Sequence, residues 1–129
     1  MSNSELIKLA EKARETAYAP YSGFFVGAAL LCADGSVYTG CNVENASFSP
    51  TCCAERVAIF KAISDGKRDF EAIAVVGGKD DTQQACYPCG VCRQVMSEFC
   101  GTDFKIITTD SETALSELLP KSFNFDQGT

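Results

Sequence analysis

Cysteine spacing constrains this chain more than any other feature. Cys53-Ala54-Glu55 is followed at residues 88–92 by Pro88-Cys89-Gly90-Val91-Cys92, and the sequence contains no histidine. Cys89 and Cys92 stand three residues apart, so on a helix their side chains share one face and can hold one ion. With Cys53 they make a candidate zinc site of three thiolates. A structural zinc site closes its shell with four protein ligands, whereas three ligands beside a carboxylate leave a position for water and supply a base to activate it. The pattern therefore points to chemistry as well as metal binding, with Glu55 as the proton carrier.

Eight cysteines in 129 residues would also suit a disulfide scaffold. The start, Met1-Ser2-Asn3-Ser4-Glu5, lacks the basic segment and apolar run of a signal peptide. The expectation is a reducing, cytoplasmic setting, where clustered cysteines bind metal or do catalysis. No apolar stretch approaches the roughly 20 residues of a membrane span, so no membrane partner is expected. A net charge of −6, from 11 basic and 17 acidic residues, argues against a nucleic-acid partner, whose phosphates would need neutralising. A small-molecule substrate fits better. With 46% hydrophobic residues, the chain is expected to form a single domain over residues 1–129.

Apolar periodicity predicts a helix near 4–18 capped by Ser4, ended by Ala19-Pro20-Tyr21-Ser22-Gly23. Strands at 24–33 and 37–41 make a hairpin across Asp34-Gly35. A polar loop covers 42–51, and a buried helix runs from Cys53 to Ile63. A strand at 72–76, a loop at 77–87, a helix opening at Pro88 and stopped by Gly101, and a strand at 104–108 give a parallel β-α-β unit. A short helix is expected at 113–119. The sum is a three-layer α/β/α domain around a mixed, about five-stranded sheet.

Charge poses a problem at the metal. Three thiolates around Zn²⁺ leave one net negative charge, which makes a bound water less acidic than it is at three neutral imidazoles. Two helix N-termini contribute roughly half a positive charge each and Arg56 a full one, which brings the local balance to about +1. Arg56 is therefore expected to tune the metal from behind its thiolates.

At these residues the chain resembles the small homotetrameric cytidine deaminases, and the likeness runs over nearly its whole length. It is carried by Ala19-Pro20-Tyr21-Ser22, Val26-Gly27-Ala28-Ala29-Leu30, Gly40-Cys41-Asn42-Val43-Glu44-Asn45-Ala46, Cys53-Ala54-Glu55-Arg56, Pro88-Cys89-Gly90-Val91-Cys92-Arg93-Gln94-Val95 and Leu118-Leu119-Pro120. The resemblance implies one Zn²⁺ per chain on Cys53, Cys89 and Cys92. It further implies that zinc-bound hydroxide attacks C4 of cytidine or 2′-deoxycytidine while Glu55 shuttles protons, giving the uracil nucleoside and ammonia, as in pyrimidine salvage. Asn42 and Glu44 would hold the 3′-hydroxyl, and Phe24 would line the sugar pocket. The Ala54 amide would meet the pyrimidine carbonyl and the Tyr87 carbonyl the leaving amine. Phe123 would reach the base in a neighbouring subunit of a homotetramer with shared sites, although Phe125 lies close enough to take that role.

Asn42 and Glu44 suit this assignment chemically, because the amide donates and accepts while the carboxylate accepts hydroxyl hydrogen bonds and repels phosphate. Two positions depart from the family pattern. Phe48 stands where tyrosine is common, and Tyr87 where a small hydroxyl residue usually precedes Pro-Cys. Other readings compete for the same cysteines. Cys86, Cys89 and Cys92 make half of an iron–sulfur signature, but Met96 stands where the fourth cysteine belongs. Cys89-Gly90-Val91-Cys92 also matches a dithiol redox motif, and Cys52 or Cys86 could close a purely structural zinc site. Within the deaminases the nearest alternative substrate is the antibiotic blasticidin S.

Overall fold

A computed structural model describes residues 1–80 and 83–125. Residues 81 and 82, within the loop expected at 77–87, lie outside the described residues, as do residues 126–129. In chain order the elements are α1 (Asn3–Arg14), β1 (Phe24–Cys32), β2 (Val37–Cys41), α2 (Ala54–Ser64), β3 (Phe70–Lys79), β4 (Gln84–Ala85), α3 (Gly90–Phe99), β5 (Lys105–Ile107), β6 (Glu112–Ala114) and α4 (Leu115–Leu118). The described strands form one mixed sheet in the order β2-β1-β3-β5-β6, with β4 paired to the far end of β3. β3 and β5 run parallel on either side of α3 in sequence, and the other pairings are antiparallel.

Alternation along the two central strands sorts side chains to two cores. Leu30, Ile73 and Val75 pack with Ala58, Ile59, Met96 and Phe104 under α2 and α3. Ala29, Ala72, Ala74 and Val76 face the other way, against Leu6 and Ala10 of α1. The expected three layers follow from this division.

Small residues set how closely the helices approach. A Cβ at Gly27 would come within 2.0 Å of the Ala10 carbonyl oxygen, and one at Gly40 within 2.6 Å of the Ala54 carbonyl and the Ala58 amide. Gly27 therefore seats α1 on the sheet and Gly40 seats α2. Because α2 opens at Ala54, Gly40 also sets the depth of the candidate site.

The structure corrects several boundaries. Ser2 rather than Ser4 caps α1, because only Ser2 has a glutamate at the third helical position: Ser2 Oγ accepts from the Glu5 amide at 3.1 Å and the Ser2 amide donates back to Glu5 Oε1 at 3.2 Å. The helix stops at Arg14 instead of continuing to 18. There the Arg14 guanidinium donates to the carbonyls of Phe25, Gly78 and Asp80, and the Tyr18 backbone leaves to bond Asn42 and Glu44.

Pro88 sits just before α3, not in its first turn, since Cys89 occupies the N-cap. Among the described residues the sheet is mixed as expected and has six strands, slightly more than the expected five, because the short β4 adds to the path of the other five. Thr113 lies inside β6, paired with Ile106, where a helix was expected to begin. Gln84 and Ala85 pair with Gly77 and Val76 within the expected loop, and β3 itself runs on through Gly77 and Gly78.

The close approach at Gly40 yields a test. Gly40→Ala should cost about 1–3 kcal/mol through overpacking, read as a lower urea midpoint with an unchanged slope. Gly90→Ala, whose added Cβ would meet open space, should not destabilise the protein.

Candidate functional site

Two helices open on cysteine. Cys53 is the N-cap of α2 and Cys89 the N-cap of α3, and neither side chain makes a capping hydrogen bond. The first-turn amides of both helices are thus left to act on the thiols in front of them. Cys92 follows within the first turn of α3 and is fully buried. The Sγ atoms of Cys53, Cys89 and Cys92 all lie within 4.8 Å of one another, with Cys53–Cys89 at 3.9 Å and Cys89–Cys92 at 3.6 Å. Three sulfurs bound to one Zn²⁺ at about 2.3 Å must sit this close together. The residues present therefore fit zinc.

Electrostatics favour an ionised sulfur at Cys53. A hydrogen bond from the Cys92 thiol holds Cys53 down at about 5, against the opposing effect of burial and with further help from the Arg56 guanidinium. The same hydrogen bond to Cys53, followed by burial, pushes Cys92 up. The proton so held on Cys92 is one that a divalent ion would displace. Arg56 Nη2 donates to Cys53 Sγ at 3.4 Å and to the Thr51 carbonyl at 3.3 Å. It stands behind the thiols and does not line the cleft.

In front of them lies a cleft of about 240 Å³, and Ala54, Glu55, Cys53, Cys89, Tyr87, Phe24, Asn42 and Glu44 all line it. Glu55 is only 3% exposed. Burial raises its pKa to about 7, the Glu55 amide lowers it, the Cys53 charge raises it and Arg56 lowers it. A bound dication would act with the lowering group.

At the opposite end, Glu44 Oε1 accepts from the amides of Tyr21 and Ser22 at 3.0 and 3.1 Å, and Oε2 accepts from Ser22 Oγ. The Ser22 hydroxyl leads the groups that hold this carboxyl below its usual range. Asn42 is buried, its Oδ1 accepting from the Val26 amide at 2.8 Å and its Nδ2 donating to the Phe24 carbonyl at 2.9 Å. One amide proton and one lone pair remain for a ligand.

Sequence reasoning missed Ser22 as a site residue. It was legible only as part of a turn, because its partner lies 22 positions away. The left-handed backbone at Gly23, with φ of 68°, closes that turn and aims the two amides at Glu44. Thr51, Cys52 and Cys86 also line the cleft, which places two of the unassigned cysteines beside the chemistry. Cys86 is pushed up to about 11 by burial, then by the charges of Glu55 and Cys53.

Phe123 does not join the cleft of its own chain. It is 62% exposed, and its carbonyl accepts from Gln94 Nε2 at 3.2 Å. Phe125 is exposed as well, and Phe48 is 83% exposed. Tyr87 turns its hydroxyl away from the cleft to Ser111 Oγ at 3.1 Å and Asp110 at 3.4 Å, which accounts for a large side chain where a small one is usual.

Comparison with known proteins agrees with this arrangement. The family model for the cytidine and deoxycytidylate deaminase zinc-binding region matches residues 1–108. A cytidine deaminase of Sporosarcina psychrophila is 50% identical over 129 residues, covering 96% of this chain and 93% of that protein. One of Halalkalibacterium halodurans is 54% identical over 128 residues, covering 95% of each. The crystal structure of cytidine deaminase from Burkholderia pseudomallei superposes with a TM-score of 0.87 at 47% identity, covering 95% of this chain and all of the other. A thiol cluster, a buried glutamate and a fold shared over nearly the full length thus lead to one assignment: this chain belongs to the cytidine and deoxycytidylate deaminase zinc-binding family.

Proposed function

We propose that this protein hydrolytically deaminates cytidine and 2′-deoxycytidine to uridine and 2′-deoxyuridine, releasing ammonia. The observation that carries this reading is one cleft lined by buried Glu55, by Cys53 and Cys89 of the three-thiol cluster, and by the hydrogen-bonded carboxylate of Glu44. Bound by Cys53, Cys89 and Cys92, Zn²⁺ supplies the Lewis acidity that makes water nucleophilic near neutral pH.

The chain's own groups divide the remaining work. Glu55 takes one proton from the attacking water and passes it to the pyrimidine ring nitrogen as the C4–O bond forms, then takes the second from the hydroxyl on C4 and passes it to the amine as the C4–N bond breaks. Its burial supports that role, since an apolar setting keeps its affinity for a proton near what transfer requires. The Ala54 amide, first in α2, donates to the pyrimidine carbonyl, and the Tyr87 carbonyl accepts from the departing amine. Phe24 packs the sugar. Glu44 and the free half of the Asn42 amide accept and donate at the 3′-hydroxyl. The fixed negative charge of Glu44 disfavours a phosphate there, which selects nucleosides over nucleotides and nucleic acids. Arg56 offsets the charge of the sulfur ligands.

The functional unit in this reading is a single-domain subunit of a homotetramer with shared active sites, working in the cytoplasm. Exposed Phe48, Phe60, Val91 and Phe123 supply apolar surface for neighbours. Phe123 lies outside its own cleft, and in this reading it serves a neighbour's. No disulfide joins any of the eight cysteines, all of which lie among the described residues, in keeping with a reducing compartment. No helix among the described residues is long and apolar enough to cross a membrane.

The decisive experiment follows pyrimidine absorbance as purified protein meets cytidine. Conversion to uridine is expected, and Glu55→Gln should lower kcat about 10²- to 10⁴-fold with zinc retained. Near-normal turnover by zinc-loaded Glu55→Gln removes the mechanism. Turnover of blasticidin S alone, or thiol redox activity without zinc, replaces the function. Arg56→Ala should release zinc faster and shift the pH–rate profile; if neither changes, Arg56 has no tuning role. Ser22→Ala, which removes one donor from Glu44, should raise KM about tenfold with kcat nearly unchanged, because it disturbs binding away from the reacting atoms.

A further inference from the structure

Arg93 and Gln94 follow the last thiol of the cluster and contact segments far from it in sequence. Arg93 Nε donates to the Pro88 carbonyl and Arg93 Nη1 to the Leu118 carbonyl, each at 2.8 Å. Gln94 Nε2 donates to the Phe123 carbonyl. Two neighbouring residues of α3 thus fasten the C-terminal segment at two points.

The Pro88 contact matters because the Pro88 carbonyl and the Cys89 amide belong to one planar peptide unit. Whatever fixes that oxygen fixes the plane from which the Cys89 side chain departs. Leu118 ends α4, so its carbonyl has no helical partner and is open to a cation. Guanidinium nitrogens diverge from a rigid plane, so the two bonds hold the two carbonyls at a set separation; a lysine ammonium acts as a single point. Arg93 is half-buried and Pro88 fully buried, which limits competition from water.

We propose that Arg93 is a positioning residue that fixes the orientation of the Cys89 thiolate by bracing the Pro88 carbonyl against the Leu118 carbonyl at the end of α4, so that losing this brace loosens the metal. This rests on reading Cys89 as a zinc ligand. Gln94 holds the same segment farther along without touching the ligand turn, and so separates tail anchoring from metal positioning.

The test uses the full-length zinc-loaded protein and its cobalt(II)-substituted form. Three readouts are taken: zinc release to a chromogenic chelator, the cobalt ligand-field spectrum, and trypsin cleavage after Lys121. Arg93→Lys should raise the zinc release rate about 10- to 100-fold, the usual effect of losing a group that orients a ligand. It should also alter the cobalt spectrum and speed cleavage at Lys121. Arg93→Gln, a second variant that keeps one donor, should do the same. Gln94→Ala should speed cleavage while leaving zinc release and the cobalt spectrum as they were.

Unchanged zinc release and an unchanged cobalt spectrum in Arg93→Lys and Arg93→Gln overturn the proposal and leave Arg93 a tail anchor. Cys89→Ser in the same assay keeps the two readings apart. If Cys89→Ser retains zinc with an unaltered spectrum, the ligand assignment fails. If it loses zinc while both Arg93 variants behave as wild type, only the positioning role fails.

Discussion

Everything at the site depends on two helices that begin at the same place. α2 and α3 come from opposite sides of β3 in sequence, yet their N-cap cysteines bring sulfurs within 3.9 Å. A helix N-terminus is ordinarily satisfied by a polar side chain. Here that satisfaction is withheld: Cys53 and Cys89 occupy the cap positions without capping. The first-turn amides and the positive end of each helix dipole are left for an anionic ligand set, so a local loss for each helix becomes a gain for ligation. The sheet supplies the aim, with Gly40 allowing α2 to lie close enough for its first residue to meet α3.

The cleft separates two carboxylates by environment. Glu55 is buried among sulfur and backbone and is pushed toward the proton-accepting range. Glu44 is encircled by donors from the turn at 21–22 and is held ionised. One residue type therefore serves proton transfer at one end and fixed recognition at the other, as other paired acids do when their surroundings push their pKa values apart. Asn42 links the ends mechanically: its amide joins the Val26 and Phe24 backbone and so holds the start of β1 beside the loop that carries Glu44.

Where coordination chemistry dictates residue type, the sequence was legible. Cys53, Cys89, Cys92 and Glu55 could be singled out because a Cys-x-x-Cys pair, a distant third cysteine and an adjacent carboxylate together suit an open metal site, whereas each piece alone also suits a redox, iron–sulfur or structural one. The hairpin and the long helices were legible through periodicity. Ser22 was not, because nothing local distinguishes a serine that closes a turn from one that also orients a carboxylate. β6 escaped because Glu112-Thr113-Ala114 is too short for a periodic signal and becomes a strand by pairing with β5. The capping box at Ser2 was readable from Glu5 but lost to a serine nearer the apolar run.

The placement of the ligands around β3 also bears on the order of assembly. Cys89 and Cys92 are near neighbours in any conformation, whereas Cys53 is held beside them by a sheet whose strands β1, β3 and β5 span most of the chain. An unfolded chain offers zinc the loosely held sulfurs of residues 86–92; the native one offers Cys89 and Cys92 with Cys53 already gathered beside them. The extra affinity belongs to the tertiary structure, so by linkage the metal stabilises the whole sheet rather than one loop. Zinc in this protein is therefore a reporter of completed folding, and chelation should be felt in strands that never touch it.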